Sequence, residues 1–249
     1  MSQPPLLEVR GLRKAFGALV VTDDVSLQVH PGEVHAVIGP TGAGKSCLIG
    51  QITGELAQDA GSIRFKGQAM DGLAVHRRAQ AGLARAYQVP QLFGSFDVQG
   101  NAVVPAIARS RMAWRWWRPA RQEAALQQRA TDALAMLQLG AIAAQPSQIL
   151  GHGQKRELEL AMGFATEPAL LLLDEPLAGM GPGDAERIVG LLKALKGRYG
   201  VLLVEHDMNA VFQLADRISV LVAGRIIAAG TPEAIRNDPA VRAAYLGEA

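Results

Sequence analysis

In 249 residues the chain carries 49% apolar and 19% charged types, enough to bury the core of one large domain. Its 25 basic and 23 acidic residues nearly cancel, which gives no global case for a nucleic-acid partner; a single cysteine, Cys47, excludes an internal disulfide framework and fits a reducing compartment. No apolar run approaches the ~18 residues of a membrane span, and residues 1–5 lack the start of a signal peptide, so a membrane role is expected only through a partner.

Taken in chain order, residues 6–9 and 25–29 read as short strands bounded by Gly11 and by Pro31-Gly32. Residues 34–38 form a third apolar run that feeds a glycine-rich loop, Gly39 to Ser46, and then a helix ending near Thr53-Gly54. A further strand, 62–66, stops at Gly67. From about Phe93 to Leu160 the pattern turns helical; Leu126, Ala130, Ala133, Leu134 and Leu137 fall on one stripe, with Gly140 as the stop. Alternation then returns: a buried strand at 170–173, a helix at 185–195, strands at 201–204 and 218–222, and a turn at Gly224-Arg225 into 226–229. Thr231-Pro232 is a helix start, with a capping hydroxyl and proline at the first helical position. Strands alternating with helices on both sides of a helical insertion predict an α/β core with a mainly parallel sheet, the early strands forming an antiparallel patch.

Gly39-Pro40-Thr41-Gly42-Ala43-Gly44-Lys45-Ser46 fits G-x-x-x-x-G-K-S without a mismatch. Its glycines let backbone N–H groups wrap a phosphate chain, and the following helix favours negative charge at its start. Lys45 is expected to reach the β- and γ-phosphates of a nucleotide, and Ser46 to offer its hydroxyl to Mg²⁺. Asp174 and Glu175 end the buried strand at 170–173, where a metal carboxylate and a water-polarising carboxylate would sit. Taken alone, an acidic pair after a strand says little, as do a lone Phe16, Gln88 or His206; their order along the chain is what counts.

That order resembles the ATP-binding subunits of ABC transporters over essentially the whole chain: the P-loop, then Gln88, then Leu150-Gly151-His152-Gly153-Gln154, then 170–175, then His206 in Val204-Glu205-His206-Asp207. The resemblance implies a single nucleotide-binding domain over 1–249. Its P-loop NTPase core (1–90 and 161–249) would include the antiparallel β patch, and 91–160 would be the inserted helical subdomain with the signature loop. It implies that two copies, identical or not, sandwich two ATP molecules with Mg²⁺. Phe16 would stack on adenine, and residues 39–47 would hold the phosphates, Cys47 lying beside them as a small buried residue. Ser46, Gln88 and Asp174 would serve the metal. Glu175 would activate water, His206 would contact the γ-phosphate, and Gln88 would also touch the water and signal to the membrane partner. Gly151, Gly153 and Gln154 would face the other copy's ATP. His30, His35 and His76 match no motif and read as structural.

Two positions depart from the family pattern. Gly151 stands where a serine usually donates to the γ-phosphate, and Gly181 where an aspartate or asparagine is common. Residues 150–160, 176–180, 204–208, 230–232 and 242–249 resemble subunits of branched-chain amino-acid importers, whose relatives import urea or short amides. The implied assembly has two ATPases, two permeases and an extracytoplasmic binding protein, with this chain peripheral on the cytoplasmic face of the bacterial inner membrane. A lipopolysaccharide-export motor is the alternative within transport. A soluble ABC ATPase acting on nucleic acid or ribosomes is less favoured, because the chain has one cassette and no long coiled-coil insertion. Arg109, Arg111, Trp114, Arg115, Trp116, Trp117, Arg118 and Arg121 crowd together; with Pro119 interrupting them, they read as an ordinary insertion rather than a membrane-surface helix.

Overall fold

The structure, a computed structural model, describes residues 4–87, 91–110 and 123–246. The predicted site residue Gln88 and, apart from Arg109, the Trp/Arg cluster lie outside these.

Two strands open the chain, β1 (Leu7–Phe16) and β2 (Leu19–Val29), paired antiparallel with register shifts that bend the ribbon. With β4 (Ala60–Phe65) and the two-residue β5 (Gln68–Ala69) they form a four-stranded sheet in the order β2-β1-β4-β5. The second sheet has six strands. Its members are β3 (Val34–Ile38), β6 (Leu83–Ala86), β7 (Leu170–Asp174), β8 (Gly200–Val204), β9 (Arg217–Val222) and β10 (Arg225–Gly230), in the order β10-β9-β3-β8-β7-β6. The pairs β9-β3, β3-β8, β8-β7 and β7-β6 are parallel, and only the edge hairpin β9-β10 is antiparallel. The α/β fold expected from the sequence, a mainly parallel sheet with a separate antiparallel patch, is therefore present.

The parallel strands are apolar on both sides, as a sheet covered on both faces requires. Every residue of β3, β7 and β8 is buried. Alternate side chains serve two cores. Leu171, Leu173, Leu203, Ala36 and Ile38 face one that includes α5 (His152–Ala165) and α6 (Pro182–Leu195). Leu170, Leu172, Leu202, Val204 and Val37 face the other, with the antiparallel sheet and α1 (Lys45–Thr53). His35 ties the sheets together: Nε2 lies 2.8 Å from Ser219 Oγ and Nδ1 2.7 Å from the Gln28 carbonyl, and burial lowers its pKa. Buried Arg78 of α2 (Val75–Ala81) donates to the carbonyls of Gln51, Ile52 and Leu73 and so caps the end of α1.

Three further helices complete the insertion and the C-terminal part: α3 (Val98–Arg109) and α4 (Ala124–Met136) pack with α5, and α7 (Met208–Leu214) comes after β8. The chain closes on α8 (Pro232–Asn237), capped by Thr231 as its sequence predicts, and α9 (Pro239–Leu246). Some boundaries differ from expectation. β1 and β2 run well past the predicted 6–9 and 25–29, because their bulges break the two-residue alternation that marks a strand. Strand β6 and helix α2 carry too little apolar signal to be read from sequence. Helix α4 stops at Met136 rather than Gly140: Gln138 turns to φ +59° and the Leu139 N–H donates back to Leu134, closing the helix early. Helix α6 begins three residues before the predicted 185, on Pro182 at its first turn.

Candidate active site

The carboxyl ends of β3, β7 and β8 are neighbours in the sheet, so the loops leaving these strands meet at one edge, where ligands bind in open α/β sheets. After β3 the loop 39–44 turns into α1, and Gly44 is the residue before that helix. Gly44 has φ +105°, and a Cβ there would sit 2.2 Å from the Val21 carbonyl, so only glycine fits between α1 and β2. The loop is pinned from below by Gly224 N–H to the Ala43 carbonyl at 3.0 Å. Thr41, Gly42 and Ser46 are exposed, and Ala43 is buried. Cys47 is half-buried, which corrects the expectation of a buried residue: α1 turns it partly outward beside Ser46.

Lys45 is 8% exposed. Its ammonium donates to the carbonyls of Gly39 at 2.7 Å and Pro40 at 3.0 Å, curled over its own loop. Burial lowers its pKa, while Glu175 and Asp174 pull it back up, which sets both carboxylates within electrostatic reach of the ammonium. Asp174, 6% exposed, ends β7 and accepts from Arg85 Nη2 at 2.8 Å. Glu175 takes a left-handed backbone (φ +48°), and its N–H is fixed to the Val204 carbonyl at 2.8 Å. Such a conformation is costly for a residue with a Cβ and recurs where a side chain must be aimed. His206 lies on the next strand's exit, 63% exposed, with Nδ1 3.9 Å from Glu175 Oε2. Lys45, Asp174, Glu175 and His206, drawn from separated places in the sequence, thus share one edge. A cation of the Mg²⁺ type is taken by hard oxygen donors, commonly one or two protein ligands completed by substrate phosphates. The Ser46 hydroxyl and the Asp174 carboxylate are of that kind and fit it.

The signature loop stands at the start of α5. Gly151 and His152 are exposed, and Gln154 Oε1 accepts from the Gly151 N–H at 3.1 Å, closing the helix start on itself. Gly153 packs on Asp184 so tightly that a Cβ would meet its carboxylate at 2.7 Å. No hydrogen bond or ion pair among the described residues joins Gly151, Gly153 or Gln154 to the loop 39–46. Phe16 is 52% exposed at the end of β1, with the Lys14 ammonium over its ring, 5.4 Å from the centre, on the sheet that carries Val21 under Gly44.

Three charged residues to which the sequence pattern assigns no role hold this edge in place. Arg156 of α5 is buried; it donates to the carbonyls of Pro176 at 2.8 Å, Glu175 at 2.9 Å and Tyr87, and to Glu159 at 2.6 Å. Glu159 also accepts the Tyr87 N–H at 2.8 Å; burial raises its pKa and the Arg156 guanidinium works against that. The signature helix is therefore bolted to the strand end that carries Glu175 and to the residue before Gln88. Glu205, fully buried, accepts the N–H groups of Leu177, His206 and Asp207, locking the exits of β7 and β8 together. Glu205 immediately precedes His206, and its unbroken apolar lead-in is the one sign in the sequence that it is buried.

Residues 22–178 match the ABC transporter domain family, and residues 225–249 match the branched-chain amino acid ATP-binding cassette transporter C-terminal family. The chain is 36% identical to the high-affinity branched-chain amino acid transport ATP-binding protein BraF of Pseudomonas aeruginosa, covering 98% of this chain and 99% of the relative. It is also 36% identical to LivG of Escherichia coli, a protein of the same description, over the full length of both. The lipopolysaccharide export system ATP-binding protein LptB of Haemophilus influenzae is 31% identical over 98% of each chain. Among solved structures, the ADP conformation of MJ1267, an ATP-binding cassette of an ABC transporter, superposes with a TM-score of 0.87 at 29% identity, covering 98% of this chain and all of that one.

Proposed function

The chain belongs to the ABC transporter family as an ATP-hydrolysing subunit, and we propose that it drives uptake of branched-chain or related amino acids or amides through a membrane permease. The single observation that carries the import reading is the match of residues 225–249 to the branched-chain cassette family, added to 36% identity with two importer subunits over the whole chain.

The mechanism rests on the side chains at the sheet edge. Lys45 leaves the carbonyls of Gly39 and Pro40 for the phosphates of ATP, a better acceptor for a cation held in partial burial. Ser46 and Asp174 would hold Mg²⁺, which would supply positive charge against the phosphates of the nucleotide. Glu175 accepts hydrogen bonds from the attacking water and polarises it; His206, next to Glu175, steadies the γ-phosphate. Gln88, outside the described residues, would serve the metal and water by its place in the family pattern. Phe16 stacks on adenine. The signature loop of a second ABC ATPase subunit, identical or paired, closes on the far side of the phosphates, and hydrolysis releases it. Residues 91–160 would form the helical subdomain on a core of 1–90 and 161–249, as the family resemblance implies.

The permease is expected to seat at the groove of about 290 Å³ between α2, β6, α3 and α5. Val75, Leu83, Pro105 and Met162 line it together with Tyr87, the residue before Gln88. No helix among the described residues is long and apolar enough to cross a membrane. The permease then holds the chain on the cytoplasmic face of the inner membrane, and an extracytoplasmic binding protein supplies the solute.

A full complex of this chain with branched-chain amino-acid permease subunits, its ATPase partner and a solute-binding protein, reconstituted in proteoliposomes, is expected to accumulate labelled leucine, isoleucine or valine only with ATP and Mg²⁺. Lipopolysaccharide extraction without amino-acid uptake would favour the export reading, which the 31% identity to an export subunit keeps in view. A second expectation concerns Gly151. Its backbone is extended (φ −66°) and a Cβ there would have only Gln154 Oε1 within reach, at 3.9 Å. Gly151→Ser is expected to fold normally and to tighten ATP-driven pairing at least about tenfold, because a hydrogen bond to a charged acceptor is worth ~1.5–3 kcal/mol. Unchanged pairing, measured by sedimentation at several concentrations, would mean that this loop does not face a γ-phosphate.

A further inference from the structure

Between the groove and the sheet edge runs a chain of charged contacts that the hydrolytic mechanism does not use. Arg85 stands on β6, in parallel register with Leu172 of β7. Its guanidinium is forked between two carboxylates: Nη2 donates to Asp174 Oδ2 at 2.8 Å, and Nη1 to Glu55 Oε2. Glu55 comes directly after the C-terminal cap of α1, the helix whose first residue is Lys45. Tyr87 closes the arrangement from above, its ring centre 4.6 Å from the guanidinium carbon and its hydroxyl donating to Glu55 Oε1 at 3.0 Å. The Asp174 and Arg85 side chains are 8% and 14% exposed, but Glu55 is 33% exposed and lines the groove with Tyr87 and Arg85. One end of the chain is thus at the ATP site and the other is open to whatever fills the groove.

We propose that Arg85 is a positioning residue for Asp174, and that Glu55 governs it by holding the other half of the same guanidinium. The proposal rests on the assignment of Asp174 to the metal side of the ATP site. A planar guanidinium can hold two carboxylates at fixed angles, which an ammonium cannot do. It fixes the orientation of Asp174, but its positive charge also opposes a cation there. Glu55 cancels that charge: with it, the three side chains sum to minus one, and without it to zero. A hydrogen-bond donor or cation of the permease that engages Glu55 in the groove would shift Arg85 onto Asp174 and weaken the cation site. Occupancy of the groove then alters hydrolysis without touching the nucleotide.

The test measures ATP affinity of the full chain by equilibrium dialysis, with Mg²⁺ and with EDTA, and takes the ratio. Glu55→Gln is expected to lower this Mg²⁺-dependent gain by at least about threefold, since the Arg85 charge is then set against Asp174 alone and the cluster beside the cation loses its net negative charge. In an Arg85→Gln background the same change is expected to do nothing, because Glu55 acts only through Arg85. Arg85→Lys, which keeps the charge but cannot hold both carboxylates, serves if Arg85→Gln does not fold; there the effect of Glu55→Gln is expected to shrink. The relay is overturned if Glu55→Gln leaves the ratio unchanged, whatever it does to the melting temperature, or lowers it equally with and without Arg85. Asp174→Asn is the control. If it keeps the wild-type ratio, the metal assignment fails and takes the relay with it; if it collapses the ratio while Glu55→Gln is silent, the relay alone fails.

Discussion

Glu175→Gln is expected to lower steady-state ATP turnover by about 10²–10⁴, the range for removal of a positioned general base, while leaving ATP affinity within about twofold of wild type. The substitution keeps the shape of the side chain and removes its charge. Shape matters here because the left-handed backbone of Glu175 and the bond from its N–H to Val204 fix where the side chain starts. Glutamine keeps that start and can still hydrogen-bond water, but it is a far weaker acceptor of the water's proton. Phosphate release under saturating ATP and Mg²⁺ measures the effect. Turnover that survives would mean that another group polarises the water, with His206, 3.9 Å from Glu175, as one candidate.

Lys45→Ala is expected to act one step earlier, on binding. Lys45 is 8% exposed and its ammonium already makes two hydrogen bonds to loop carbonyls, so it is held within the loop rather than waving in solvent. Hydrogen bonds from a cation to a charged partner are worth ~1.5–3 kcal/mol, which predicts a loss of ATP affinity of roughly ten- to a hundredfold. Because the same charge meets the γ-phosphate as negative charge redistributes in the transition state, turnover at saturating ATP is expected to fall at least about a hundredfold as well. The loop should keep its fold: Gly44 and Ala43 are tied to Val21 and Gly224 through backbone contacts that alanine at 45 leaves alone. Normal melting with lost ATP binding, by calorimetry, is the expected pair of results. Wild-type affinity would show that the loop holds phosphate by backbone N–H groups alone.

The parts of this site legible in the sequence are those whose chemistry needs neighbours in the chain. A phosphate loop requires its glycines, lysine and serine in eight consecutive residues after a buried strand, and 39–46 shows all of that. Asp174 and Glu175 are readable because β7 is short and apolar up to Asp174, so its end is marked. Residues that act across the fold left no such mark. Arg85 sits in a four-residue edge strand, and its partners Glu55 and Asp174 are 30 and 89 positions away. Arg156 has the look of a solvated charge on a helix, yet it is buried against the carbonyls of Glu175 and Pro176, because α5 packs across the end of β7. The same non-local character explains the long β1-β2 ribbon: pairing with β4 and the bulges, not alternation within 7–29, sets its length.

The mass of the Glu175→Gln chain, by light scattering with ATP and Mg²⁺, tests the motor account most directly. If ATP is clasped between the P-loop of one subunit and the signature loop of another, the mass doubles with ATP, retains two ATP per dimer, and returns to that of one chain when Lys45→Ala is added. Should this chain pair only with a second kind of ATP-binding subunit, the same doubling appears on mixing the two. A variant that binds ATP yet keeps the mass of a single chain, alone and with its paired subunit, would contradict the account.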